Sequence, residues 1–321
     1  MITQEGGNVN VAAVSGNFDD AQTGVKDIFA DRDFAGELAN NGMKLSSANS
    51  INWGRLLPQI VYYISAYVDL MAKGVVSNGE PVNIVVPTGN FGNILAAYYA
   101  SRMGMPVNKL ICASNTNKIL NDFIRTGIYD RNRRFEKTIS PSMDILISSN
   151  LERLLYEITG HDAARVAGWM EALKNQGRYE VDAATLAEVQ NIFWSEFCTD
   201  EETLAAIRST WDKCRYLLDT HTAVAVNVYK KYLAAHQEDG VPAIIASTAS
   251  PFKFGSSVAQ AVLAPEVAAG KNEFSILNLL SDYTGLRIPE GIKNLDQKPV
   301  LHLAVSPRDK MRETVAKFLG L

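Results

Sequence analysis

One stretch limits what this chain can fold into. From Val82 to Gly104 it reads VNIVVP, then TGNFGN, then ILAAYYASRMG. Val82 to Val86 is short, nearly all apolar and rich in β-branched residues, which suits a strand buried on both faces of a parallel sheet. Thr88 to Asn93 supplies two glycines and two asparagines, residues that let a backbone turn sharply and expose its N–H groups. Ile94 to Met103 reads as a helix, stopped by Gly104 and Pro106. Strand, loop and helix N-terminus together form an anion cradle, because the loop amides and about half a positive charge from the helix dipole converge there. A Gly-x-x-Gly loop also serves as a plain tight connection. No Gly-Lys-Ser/Thr follows it, and the dinucleotide spacing is absent. A bound phosphate would belong to some other cofactor or substrate.

The rest of the chain supplies the context for such a loop. Strands are expected at Asn8 to Val14, Lys44 to Asn49, Leu110 to Ala113, Ala243 to Thr248 and Val300 to Val305. A long amphipathic helix is predicted from Trp53 to Lys73, with Leu56, Leu57, Ile60, Val61, Ile64, Val68 and Met71 at helical spacing. Asn117 to Thr126 and Glu313 to Leu319 also read as helices. Residues 128 to 149 change character: Arg131, Arg133 and Arg134 sit in a polar stretch read as a solvated surface, and Thr138 to Asp144 (TISPSMD) reads as irregular. From Asn150 to about His236 the pattern is helical throughout. Asn150, Asp162 and Asp182 are expected to cap helices there, and Thr199 with Glu202 has the capping-box spacing. Strands alternating with helices on both sides of this stretch argue for an α/β fold with a mostly parallel, doubly wound sheet.

Composition narrows the function. A net charge of −4 over 321 residues leaves no basic field for nucleic acid or a membrane surface. No apolar run approaches the ~18 residues of a membrane span. Cys112, Cys198 and Cys214 lack metal spacing, so reduced thiols and a cytoplasmic setting are expected, with no metal.

Three constellations carry chemistry. In SSANSINWGR (residues 46–55), Asn49, Ser50 and Asn52 precede Arg55. One guanidinium beside amides and hydroxyls suits a small carboxylate or phosphate. The same residues also suit a helix cap beside a surface arginine. The second constellation is TGNFGN. The third is STASPFKF (residues 247–254), at the predicted carboxyl end of a strand, where open α/β sheets bind ligands. A threonine there can hydrogen-bond an aromatic ring nitrogen without placing a full charge on it, although the segment also reads as a simple strand-to-helix turn.

NSIN with its following arginine, PTGNFGN, DTHTAVA (Asp219 to Ala225) and STASPFKF occur in an order that resembles threonine synthase, a pyridoxal-phosphate (PLP) enzyme family with the tryptophan-synthase β-like fold. The resemblance covers essentially the whole chain. It implies that Gly89, Asn90, Phe91, Gly92 and Asn93 wrap the phosphate of pyridoxal 5'-phosphate, that Thr248 faces the pyridine nitrogen, and that Asn49, Ser50 and Arg55 hold the phosphate of O-phospho-L-homoserine. The implied reaction adds water and releases phosphate to give L-threonine. His221 and Thr222 belong to a family motif without an assigned role, and Ser250 stands where histidine is often expected. The resemblance also implies a Schiff-base lysine well before the glycine loop. Lys26, Lys44 and Lys73 are the only lysines there, and none has the family's context. The chain thus looks like a carboxyl-terminal portion, inactive alone. Residues 1–45 would be the tail of the small domain, and residues 46–321 the large PLP-binding domain with a helical insertion at about 150–236. Two other readings stay open: a threonine-synthase-like phospho-lyase acting on another amino-alcohol phosphate, and a non-catalytic phosphate-binding paralogue. The oligomeric state is not legible.

Overall fold

A computed structural model describes residues 1–16, 18–237 and 239–321. Among them are eight strands: β1 (Ala12–Ser15), β2 (Val82–Pro87), β3 (Val107–Ser114), β4 (Ile128–Asp130), β5 (Arg178–Glu180), β6 (Phe193–Phe197), β7 (Ala243–Ile245) and β8 (Ala304–Pro307). The chain divides into two units, Met1–Ser47 with Pro289–Leu321, and Ala48–Ile288. This differs from the division expected at residue 45. β1 pairs in parallel with β8 through Ala12↔Ala304 to Ser15↔Pro307, and this pairing gathers the last 33 residues into the unit of the first 47. The small core of that unit is built from Ile28, Phe34, Leu38 and Met311.

The larger unit holds the sheet that positions the site. Its strand order is β6-β3-β2-β7, and every pairing in it is parallel. All six residues of β2 are buried, as its nearly all-apolar run demands, and the one polar side chain, Asn83, donates to Asp239 Oδ2 at 3.0 Å. Alternation along the strands serves two cores. Ile84, Val86, Leu110 and Cys112 face one, with Leu56, Ile60 and Ile94. Val85, Ile111 and Ala113 face the other, with Val224, Ala225 and Val228 of the Thr220–Ala235 helix. A parallel sheet covered on both sides is the doubly wound arrangement expected, and it brings the carboxyl ends of its strands to one edge. Among the described residues no helix is long and apolar enough to cross a membrane.

Several local expectations change. Lys44 to Asn49 is not a strand; Asn49 Oδ1 instead accepts from Ile51 N at 3.2 Å, a local side-chain bond that competes with sheet pairing. The stretch 150–236 is not wholly helical. It contains β5 and also β6, whose FWSEF sequence pairs with β3 from Leu110↔Phe193 to Ser114↔Phe197. Its aromatic residues favour a strand over a continued helix. Within residues 128–149, β4 pairs antiparallel with β5, and Arg133 Nη1 donates to Asp122 Oδ2 at 2.7 Å.

The Trp53–Ala72 helix forms, but it buries only part of its aliphatic stripe and turns two tyrosines inward beside it. Leu56, Ile60, Tyr63 and Tyr67 are buried, whereas Leu57, Val61 and Val68 are exposed. The tyrosine hydroxyls decide this: Tyr63 donates to Asn93 Oδ1, and Tyr67 donates to the Glu80 carbonyl at 2.9 Å. Buried tyrosines need such partners, and here they lie inward. Ile60→Ala should therefore cost about 2–5 kcal/mol of unfolding free energy. Val61→Ala, on the exposed side, should change it by no more than about 0.5 kcal/mol. Urea denaturation of both variants checks this, and equal losses would put Val61 in the core.

Candidate functional site: two loops joined by a buried asparagine

The TGNFGN loop leaves β2 still tied to the sheet. Thr88 N donates to the Ala113 carbonyl at 2.9 Å, and Thr88 Oγ1 to the Val86 carbonyl at 2.7 Å. Its glycines are needed for close approach rather than for unusual dihedrals. A Cβ on Gly89 would lie 2.6 Å from the Ser142 carbonyl oxygen, and one on Gly92 would lie 2.4 Å from Ser50 Oγ. The left-handed position is instead Phe91, with φ of 62°. Its ring is 1% exposed and packs 5.7 Å from that of Phe193, so burial offsets the backbone cost. The Gly92–Arg102 helix has no side-chain cap. Among the described residues, the N–H groups of Gly89, Asn90, Phe91, Gly92 and Asn93 meet no protein acceptor. Five open donors at an uncapped helix start are the arrangement that suits an anion.

The NSIN loop lies against that loop. Asn49 Oδ1 accepts from Ser50 Oγ at 3.3 Å, and Asn52 caps the next helix through Gly54 N at 3.0 Å. Arg55 is exposed, and its Nε donates to the Ala48 carbonyl at 3.0 Å. The residue joining the two loops is Asn150, which is fully buried. Its Nδ2 donates to Ser50 Oγ at 3.0 Å and to the Asn90 carbonyl at 2.9 Å. The expected Asn150 helix cap is therefore not made by its side chain, which is committed to these loops. Arg153 follows one turn later. It donates from Nη1 to the Ser50 carbonyl at 3.2 Å and to Asn150 Oδ1 at 3.0 Å, and from Nη2 to the Ile51 carbonyl. A guanidinium forked onto carbonyls positions backbone rather than offering its charge to a ligand.

A second brace comes from residues 138–148. Asp144 Oδ1 accepts from Asn115 Nδ2 at 2.8 Å, Asn117 Nδ2 at 2.8 Å and Thr138 Oγ1 at 2.7 Å, while Oδ2 accepts from Thr138 N at 2.9 Å. The turn so fixed carries Ser142, and Ser148 Oγ donates to the Gly89 carbonyl at 2.8 Å. Sequence reasoning missed Ser142, Ser148, Asn150 and Arg153. Their polar, irregular setting looks like surface, and only the ISSN run before a helix hinted otherwise.

The third constellation sits on the neighbouring strand. Val85 pairs with Ile245, and three residues beyond each come Thr88 and Thr248. Thr248 is exposed at this edge. The Thr220–Ala235 helix connects to the same loop, since Thr222 Oγ1 donates to Ser247 Oγ at 3.4 Å. Asp219 caps that helix, accepting from His221 N at 2.9 Å and Thr222 N at 3.2 Å. Burial works to raise the Asp219 pKa, but donors from His221 and Thr222 together outweigh it and hold the carboxyl below its ordinary value.

Among the described residues, the buried side-chain oxygens Asn90 Oδ1, Ser114 Oγ and Ser149 Oγ have no hydrogen-bond partner. Buried polar atoms are ordinarily satisfied, and Asn90 Oδ1 lies in the glycine loop itself. Asn150→Leu keeps a branched side chain but removes both side-chain bonds to the loops, leaving the backbone N–H of Asn150 on the Asn90 carbonyl at 3.2 Å. Affinity for inorganic phosphate, read by isothermal titration, should fall about tenfold, as loss of one or two buried hydrogen bonds implies. Unchanged affinity would show that the loops keep their shape without Asn150.

Known proteins resemble this chain over nearly all of it. Residues 222–278 match the family model described as threonine synthase, C-terminal. Threonine synthase-like 1 of Homo sapiens is 45% identical over 302 residues, which make up 94% of this chain and 38% of that protein. Threonine synthase of Saccharomyces cerevisiae is 38% identical over 275 residues, 82% of this chain and 52% of the yeast protein. A crystal structure of PLP-bound threonine synthase from Brucella melitensis aligns with a TM-score of 0.77 at 36% identity, covering 97% of this chain and 60% of that one. The chain spans roughly two fifths to one half of the length of these curated relatives. In sequence and fold, the chain is similar to threonine synthases and matches the carboxyl-terminal part of them.

Proposed function

We propose that this chain supplies the phosphate-gripping portion of a PLP-dependent carbon–oxygen lyase that converts O-phospho-L-homoserine and water into L-threonine and phosphate. The observation that carries the reading is the coupling of two phosphate-suited loops through Asn150. Such a reaction needs two phosphates held at a fixed separation, one on the cofactor and one on the substrate. The amides of Gly89 to Asn93 would take the cofactor phosphate, aided by the dipole of the helix they begin. Asn49, Ser50 and Arg55 would hold the substrate phosphate, with Arg55 the one charged donor of the three. Thr248 would hydrogen-bond the pyridine nitrogen from the end of β7. The five open amides and the orphaned Asn90 oxygen fit a polar cofactor of this kind. When bound, PLP supplies an electron sink for the substrate carbons. This chain's residues bind its phosphate, orient the substrate and hold the departing phosphate.

The deciding assay is threonine formation with equimolar phosphate release from O-phospho-L-homoserine, in a protein containing this chain. A second reading, elimination of phosphate from another amino-alcohol phosphate, is favoured by one observation. The human threonine synthase-like 1 is 45% identical to the chain, against 38% for the yeast threonine synthase. Phosphate release without threonine would assign that reading. In the same assay Arg55→Ala should lower kcat/KM about ten- to a hundredfold, the worth of a charge-assisted hydrogen bond to a desolvated anion. Arg55→Lys should recover only part, because an ammonium keeps the charge and loses the fork. Wild-type values in both variants would place the substrate phosphate elsewhere.

Covalent attachment of the cofactor gives a separate test. Lys73 caps the far end of the Trp53–Ala72 helix, about 30 Å along its axis from the NSIN loop. Mixed with PLP and reduced with borohydride, this chain should take no stoichiometric label at a single lysine. A unique labelled lysine, found by peptide mass spectrometry, would overturn that expectation.

A further inference from the structure

His221 is a buried, polar member of the DTHTAVA motif that none of the roles above uses. It is 3% exposed and lies at the start of the Thr220–Ala235 helix. Its Nε2 accepts the backbone N–H of Ser142 at 3.1 Å. A neutral imidazole accepting at Nε2 carries its proton on Nδ1, and that nitrogen lies 3.4 Å from Asp219 Oδ1. Asp219 is itself fixed by the amides of His221 and Thr222. The ring also packs 4.6 Å from that of Phe254, in the STASPFKF loop. On the other side of Ser142, its carbonyl oxygen occupies the space that a Cβ on Gly89 would need, 2.6 Å from that position. Asp219, His221, Ser142 and Gly89 thus form a continuous chain of contacts into the glycine loop.

We propose that His221 is a positioning residue of the phosphate cradle. Held in one tautomer by Asp219, it pins the 141–143 turn, and the Ser142 carbonyl in turn sets where Gly89 and the amides after it point. Asp144 holds the same turn from its far side. His221 touches neither phosphate in this arrangement and acts only through Ser142. The proposal rests on the reading of Gly89 to Asn93 as a phosphate site, so its test includes a readout that does not depend on phosphate.

Two substitutions separate the ring's functions. His221→Phe keeps an aromatic ring against Phe254 and removes the acceptor. His221→Gln gives up the ring and restores an acceptor near the Nε2 position. Amide hydrogen exchange and amide chemical shifts are measured by NMR on both variants and the parent protein, with the Ile119–Thr126 helix as the control for an intact fold. In His221→Phe, exchange at Ser142 should accelerate about tenfold or more and the amide chemical shifts of Gly89 to Asn93 should move, while the control helix keeps its protection. His221→Gln should recover most of the protection, although it lacks the ring. Affinity for inorganic phosphate should follow the same order, falling about tenfold in the Phe variant and much less in the Gln variant. Unchanged amide shifts at Gly89 to Asn93 in His221→Phe overturn the proposal, as does equal acceleration at Ser142 in both variants, which would make His221 a packing residue. If the parent protein binds no phosphate, the cradle reading fails by itself, and the exchange and shift data still decide the role of His221.

Discussion

Two close approaches shape the site. The Ser142 carbonyl and the Ser50 side chain stand where the Cβ atoms of Gly89 and Gly92 would be. With both flanks of the loop filled by other parts of the chain, its amides have no acceptor among the described residues. The left-handed Phe91 between them turns the backbone, and its ring is anchored in the core against Phe193. The loop is thus a surface of donors backed by close packing, which is what an anion requires of a site that carries no full charge.

Electrostatically the site is built from dipoles and neutral donors. Asp144 and Asp219 are buried carboxylates, each surrounded by amides and hydroxyls. Such donors compensate a buried negative charge without placing a cation in the site. The arginines divide by role. Arg153 spends its guanidinium on the Ser50 and Ile51 carbonyls, whereas Arg55 is exposed with only Nε tied to the backbone. Of these two, Arg55 has the geometry to meet an incoming anion.

How much of this was legible in the sequence depends on how local the determining contacts are. β2, the glycine loop and its helix were readable because apolar run, turn residues and helix stop lie within 24 residues of one another. The capping roles of Asp162, Asp182 and the Thr199–Glu202 pair were readable for the same reason, and the structure has all three. Asn150 was also read as a local cap, yet its partners Ser50 and Asn90 lie 100 and 60 residues away. β6 was hidden among helices, because only its pairing with β3 makes a strand of FWSEF. On the Trp53–Ala72 helix the aliphatic stripe gave Leu56 and Ile60 correctly but missed Tyr63 and Tyr67, since spacing carries no information about where a tyrosine hydroxyl will find its acceptor. The pairing of β1 with β8, about 290 residues apart, is equally silent in any local window.

The sequence separations across the cradle have a kinetic consequence. Ser142 meets His221 across 79 residues, and Arg153 meets Ser50 across 103. Closing loops of that length costs chain entropy that only assembled elements can repay. Helices and the β2–β3 pair have nearer partners and can form before those loops close. The cradle is therefore a late product of folding, and a partly folded chain with much of its native helix content would still have no site. Helix content measured by circular dichroism would then overstate the fraction of molecules in which these loops are assembled.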